Sequence, residues 1–365
     1  MLKTHPAVFA VGDQYQIMVP VTGESLLWVR VGGQIYCDES NGIMRSLRPI
    51  HRVIVPQEAL NEAGHYTVCE KELIDRKPYF PTSRQTVETE YDFYPVPDEN
   101  PRAYHISDAH NREKEPIRAA QNYGKIDFLI MNGDVPNDSG EISNFDTIYN
   151  IASEVTHGNI PIVFARGNHD LRGYHAEEIA EYTPNENGNT FYSFRLGRLW
   201  GLILDCGEDK NDWHEEYGGD GEHFCSVYCH GFRQRETKYI RNIIANAGRE
   251  YEAEDVQKKL VIVHMPFVHI GQSPFNIEPE IYGEWAQLLA DYIKPDLMIC
   301  GHTHHFAKHI PGDKWYDFAP CCPVVVGSAP DHEQGFSNAG FVFGREKIQV
   351  CFANEAGEAI ETFDI

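Results

Sequence analysis

The chain contains no apolar run approaching the roughly 18 residues that a membrane-crossing helix needs, which excludes a helical span. Cations are also scarce. Lysine and arginine number 31 against 55 aspartates and glutamates, a formal net charge of −24 over 365 residues. A nucleic-acid surface needs a basic stripe to neutralise phosphates, so this balance argues against nucleic acid as a partner. The stretch from Met1 to Val11 has one lysine and a short apolar patch but no cleavage site, so no secretion signal is expected and the protein reads as soluble and cytoplasmic. The nine cysteines match no zinc-ribbon spacing. Cys225-x-x-x-Cys229 and Cys321-Cys322 are their only clusters, and reduced, mostly buried thiols are expected there and at Cys37 and Cys69. No repeat or low-complexity segment is present, and nothing in the pattern sets an oligomeric state.

What is present divides in two. A hydrophobic content of 42% supports sizeable cores in two domains. Residues 1–95 carry short alternating runs, among them Tyr15 to Val19, Leu26 to Val31, Arg52 to Val55 and Tyr66 to Val68, separated by Gly, Pro and Asn. That spacing predicts an all-β sandwich of immunoglobulin-like type. Residues 96–102 fall in the Pro95-Val96-Pro97-Asp98-Glu99-Asn100-Pro101 stretch, whose prolines make a stiff connector. Residues 103–365 then form the larger domain.

In that domain five apolar runs each end in a short polar signature. Tyr104 to Ile106 leads to Ser107-Asp108-Ala109-His110, and Phe128 to Met131 to Gly133-Asp134. Ile162 to Ala165 leads to Gly167-Asn168-His169-Asp170, Leu260 to Val263 to His264, and Leu297 to Cys300 to Gly301-His302-Thr303-His304. Continuous apolar runs of this length read as buried parallel strands, and functional groups collect beyond the carboxyl ends of such strands. Asp108, His110, Asp134, Asn168, His264, His302 and His304 therefore converge as hard or borderline ligands suited to two divalent metal ions. His169 is left over for proton transfer. Glycines at 133, 167 and 301 fit sharp turns with close backbone approach.

The five blocks, in this order, resemble the D-x-H, GD, GNH[DE], lone His and GHxH pattern of the calcineurin-like metallophosphoesterases. The resemblance spans roughly residues 103 to 330. It implies an α/β fold, a four-layer α-β-β-α core with two mixed sheets, here preceded by the sandwich. It implies one metal on Asp108, His110, Asp134 and His304 and another on Asp134, Asn168, His264 and His302, with Asp134 bridging. Manganese, iron and zinc all suit this ligand set. The implied reaction is direct hydrolysis of a small soluble phosphomonoester or phosphodiester, with a hydroxide held between two divalent metals attacking phosphorus. His169 would protonate the leaving oxygen. Asp170 is a candidate to orient its ring, with Asp138 as the alternative. Arg166 and Arg172 flank the same turn as candidate phosphate contacts, or else as ion pairs.

Two departures narrow the branch. Purple acid phosphatases share the N-terminal sandwich but place a tyrosine three residues after the bridging Asp and lack the histidine of the first block, whereas this chain has Asn137 and His110. Protein serine/threonine phosphatases continue their second block Val-Asp-Arg-Gly, whereas this chain reads Val135-Pro136-Asn137-Asp138. The competing readings are a nuclease of the same superfamily and a metal-binding scaffold without catalysis.

Helical spacing is expected over Ser139 to Val155, Arg112 to Tyr123, Gln234 to Ala247 and Glu280 to Tyr292. The polar stretch from Gly207 to Gly231 reads either as a substrate-side loop or as a solvated acidic surface. The C-terminal runs Val324 to Val326, Phe341 to Phe343, Lys347 to Phe352 and Ala359 to Phe363 are expected to complete a second sheet.

Overall fold

The computed structural model describes residues 1–365. Its frame is a ten-stranded sheet and a six-stranded sheet. In the larger one the strands Arg102–Ile106, Phe128–Asn132 and Ile162–Ala165 run parallel at the centre, and in the smaller one Leu199–Leu204, Lys258–Val263, Leu297–Cys300 and Val324–Val326 do the same. Each of these strands is buried on both faces over most of its length, as its largely apolar sequence requires. The helices Lys114–Tyr123 and Asp146–Thr156 cover the outer face of the large sheet, where Ala119, Ile148 and Ile151 join its core. Cys229–Ala245 and Pro279–Leu288 cover the small sheet through Ile240, Tyr282 and Trp285. The result is the expected α-β-β-α stack. None of the helices is long and apolar enough to cross a membrane.

Three placements differ from the sequence reading. Of the C-terminal runs only Val324–Val326 enters the small sheet; Ser337–Phe343 pairs antiparallel with Arg102–Ile106 in the large one, and Ile348–Ala353 and Ala359–Asp364 add to it in turn, also antiparallel. The helix expected from Ser139 starts late, as a short 3-10 turn over Ile142–Phe145 followed by Asp146–Thr156. The reason is local. The Asp138 carboxylate accepts from the Gly140 N–H and from Asn144 Nδ2, and the Ser139 hydroxyl donates to the Asp170 carbonyl, so these residues tie the turn down instead of starting a helix.

The third difference concerns residues 1–95. They form two β layers with a shared core that includes Ile17, Val29, Val53 and Val68. One layer, Ala7–Val11, Gln14–Pro20 and Ile50–Pro56, continues the large sheet, because Ala7–Val11 pairs in parallel with Ile162–Ala165 at Phe9 and Ile162. The Gly12 N–H also donates to the Ser193 carbonyl at 2.7 Å, on the edge strand of the small sheet. A single cluster of 39 buried residues runs from Val8 through Phe341, so the hydrophobic core does not break at the proline connector.

Candidate metal centre

The two sheets pack face to face, with Ile130 and Val163 of one and Ile262 and Ile299 of the other in a single core, and the carboxyl ends of five central strands open at one place. Asp108 and Asp134 leave the large sheet there and His264, His302 and His304 leave the small one. Hydrogen bonds lock this seam. The His302 N–H donates to Asp108 at 3.1 Å, and His264 Nδ1 donates to the Asn132 carbonyl at 2.7 Å. Asn132 Nδ2 in turn donates to His105 Nε2 at 3.1 Å and to the Ile299 carbonyl at 3.2 Å.

The local backbone is unusual. Asp108, His110, Asp134, His302 and His304 all have positive φ, from 46° to 70°. Residues with a Cβ reach this region at a cost of about 1–2 kcal/mol each, and such conformations persist where function demands them. Gly167 and Gly301 are fixed by approach rather than by φ, whereas Gly133 also has a φ of 77°. A Cβ on Gly301 would lie 2.0 Å from Ser107 Oγ, and one on Gly167 would lie 2.2 Å from Asp134 Oδ1.

The donor atoms converge in three groups linked through His110 and Asp134. Asp108, His110 and His304 offer ligand atoms within 4.8 Å of one another, as do Asp134, His264 and His302, and as do His110, Asp134 and His169. His264 Nε2 lies 3.2 Å from Asp134 Oδ2 and 3.7 Å from Asp108 Oδ1. His304 Nε2 lies 3.3 Å from Asp108 Oδ1 and 3.2 Å from His110 Nε2. Asn168 Oδ1 sits 3.1 Å from His302 Nδ1.

These residues fit a pair of divalent cations. The telling atom is His264 Nε2, buried and without a hydrogen-bond partner, while the opposite ring nitrogen donates to a carbonyl. That is the tautomer a metal-binding imidazole adopts. Charge agrees. Burial holds His110 and His302 down to about 4, so both rings are neutral and able to ligate at neutral pH. Burial alone would lower His264 too, but the carboxylates of Asp134 and Asp108 raise it to about 10. Against their own burial, the histidines around them hold Asp108 well below the usual carboxylate range and Asp134 at about 2.

Around this core several expectations are corrected. Asp170 does not touch the His169 ring. Its carboxylate turns inward and accepts from the Gly167 N–H at 2.6 Å and the Asp134 N–H at 3.2 Å, and burial with the nearby Asp134 charge pushes it up to about 7. Asp138 does not orient the ring either. His169 Nδ1 donates to the Asn137 carbonyl at 2.9 Å, and Nε2 accepts from Arg172 Nη1 at 3.2 Å.

Neither arginine presents a free fork to a phosphate. Arg166 is 7% exposed, with Nε 2.7 Å from Asp205 Oδ2 and its guanidinium carbon 5.2 Å from the centre of the Phe232 ring. Arg172 gives Nε and Nη2 to the two oxygens of Glu208, each at 2.9 Å. The stretch after Asp205 is accordingly no solvated surface at its start: Glu208, Asp209, Lys210 and Asp212 are buried beside the centre, and only its later part is open.

Ser107, His105, Asn132 and Glu208 were not singled out by sequence reasoning. Asn132 and His105 carried a legible signal, a polar residue closing or interrupting an otherwise apolar strand. Glu208 lay within the polar stretch from Gly207 to Gly231, read as a substrate-side loop or a solvated surface, with no role of its own assigned.

The model of the calcineurin-like phosphoesterase family matches residues 101–306, over half of the chain. No curated protein sequence matches. Among solved structures, the purple acid phosphatase of yellow lupin (Lupinus luteus) seeds superposes with a TM-score of 0.65 at 14% identity, covering 99% of this chain and 73% of that one. PhoD superposes with a TM-score of 0.58 at 10% identity, covering 99% and 88%. At such identities the likeness speaks for the fold, and it takes in the N-terminal β layers as well as the catalytic stack. Because the family match contains all five blocks that build the centre, the chain belongs to the calcineurin-like phosphoesterases and is a metal-dependent phosphoester hydrolase.

Proposed function

We propose that the centre hydrolyses a small soluble phosphomonoester or phosphodiester, with Asp108, His110, Asp134 and His304 holding one divalent cation and Asp134, Asn168, His264 and His302 the other. The observation that carries this reading is the pair of donor clusters Asp108–His110–His304 and Asp134–His264–His302, which a third, His110–Asp134–His169, joins. Manganese, iron or zinc bound there would supply Lewis acidity, activating water and neutralising phosphate oxygens.

The chain's own residues do the rest. Asp170 and the His169 N–H, which donates to Asp134 Oδ1 at 2.9 Å, fix the bridging carboxylate in place. The oxygen of water bonds to phosphorus as the ester P–O bond breaks, and the leaving oxygen keeps that electron pair. His169 would deliver from Nε2 the proton that the leaving oxygen takes, while the Asn137 carbonyl holds the ring by Nδ1. Arg172 acts as a positioning residue for that ring, anchored by Glu208. A cytoplasmic setting accords with nine cysteines that are all unpaired.

The test is hydrolysis of 4-nitrophenyl phosphate and bis(4-nitrophenyl) phosphate by the manganese-loaded protein, with metal content measured in parallel. Turnover of either is expected at two metals per chain, and their ratio assigns the ester class. Two bound metals with no turnover of any phosphoester would instead favour the non-catalytic scaffold.

A further inference from the structure

Beside the centre lies a cavity of about 210 Å³ that the chemistry above does not use. It shares a wall with the metal-site residues, since His302 and its neighbour Thr303 both line it. Much of its buried lining is apolar: Met265, Phe267, Ile277 and Tyr282 are each under 9% exposed, as is one carboxylate, Asp209. Ile270 and the half-exposed Phe275 line more open parts.

We infer that this cavity receives the organic part of the phosphoester, and that this part is a single uncharged ring. The inference rests on the hydrolase reading of the adjoining centre and narrows its substrate class. Three observations carry it. The first is continuity, because a phosphoryl group held next to His302 puts its ester substituent against the same imidazole. The second is size. An apolar cavity of about 150 Å³ already holds benzene, so about 210 Å³ takes one ring with a small substituent.

The third is charge. No lysine or arginine lines the cavity, and its one carboxylate, Asp209, is paired with Lys210 Nζ at 2.9 Å. A second phosphate or a carboxylate on the substrate would find no cation there, and a sugar would leave most of its hydroxyls facing hydrocarbon. The Lys210 ammonium itself lies 5.2 Å from the centre of the Phe275 ring, which turns this cation toward an aromatic face.

The experiment compares benzylphosphonate with methylphosphonate, two non-hydrolysable probes, by titration calorimetry on the full-length manganese-loaded protein. Burying a phenyl ring at about 25 cal/mol per Å² gives benzylphosphonate the tighter binding by roughly 10- to 70-fold. Ile270→Trp, which fills the cavity from its open side, and Phe275→Ala, which removes the exposed ring, should each erase most of that preference. Methylphosphonate affinity should stay native in both, showing that the centre is intact.

Equal affinities in the native protein, or a benzyl preference that survives in both variants, would overturn the assignment while leaving the hydrolase reading untouched. Binding of neither phosphonate to protein shown to hold two metals would overturn the hydrolase reading itself, and the pocket's role with it.

Discussion

Arg166 offers a direct test of how the region behind the centre is built. Its guanidinium is 7% exposed and its partner Asp205 is 1% exposed. Replacing it in Arg166→Met keeps the bulk and removes the charge, which strands the Asp205 carboxylate in the interior. Breaking a buried pair from one side costs about 3–5 kcal/mol. The lower end is expected here, because Asp205 keeps hydrogen bonds from the Gly207 N–H and the Thr190 hydroxyl. Burial, and then the Asp205 carboxylate, push the neighbouring Glu236 carboxyl well up.

About 3 kcal/mol is a large part of the roughly 5–15 kcal/mol that holds a typical domain, so urea denaturation will register it. Adding Asp205→Asn should restore much of the loss, with a coupling on the order of 2 kcal/mol. The KM for 4-nitrophenyl phosphate should stay near native, because no substrate contact has been removed. A stability change below about 1 kcal/mol together with a KM raised about tenfold would refute this account and return Arg166 to the substrate.

Other expectations follow from the same geometry. His169→Ala should lower kcat by about 10²- to 10⁴-fold at unchanged metal content, and a loss under about tenfold would remove the ring from proton transfer. Gly301→Ala drives a Cβ to 2.0 Å from Ser107 Oγ and 2.8 Å from Asp108 Oδ2, so it should cost about 1–3 kcal/mol and empty the centre. Native metal content by mass spectrometry in that variant would count against the close packing described. His264, raised to about 10 in the metal-stripped protein, should lose its proton when manganese binds at pH 7, with a further part from His304, whose ring Asp108 also raises. Calorimetry in two buffers of different ionisation enthalpy measures that release, and none at all would contradict the arrangement. Because its folded value lies above the unfolded one, the His264 contribution to stability of the stripped protein is complete below about pH 6.5 and disappears as pH climbs through about 10.

The five ligand blocks were legible because each couples two signals, an apolar run that must be a buried strand and a metal donor at its carboxyl end. Asp170 was misread because adjacency along a 3-10 turn does not make side chains neighbours: the carboxylate points into the protein while the His169 ring points out. The arginines stayed open between phosphate contact and ion pair for a different reason. A guanidinium beside a phosphate-site motif looks the same whether its partner is substrate or a carboxylate far along the chain, and here the partners are Asp205 and Glu208. Sheet membership of the C-terminal strands was hidden as well, since alternation fixes which face is buried but not which neighbour supplies the hydrogen bonds.

The pairing of Ala7–Val11 with Ile162–Ala165, and the bond from Gly12 to Ser193 on the other sheet, make the N-terminal layers part of the wall behind the centre. A hinge needs a boundary that few hydrogen bonds and little core cross, and none exists here. Opening and closing by swinging the sandwich over the substrate is therefore ruled out by construction, and access must be governed by side chains and loops at the mouth. The same continuity makes residues 1–95 indispensable to the remainder. Cut away, they would leave Ile162–Ala165 as a naked, uncharged edge of a parallel sheet, a template for association between molecules.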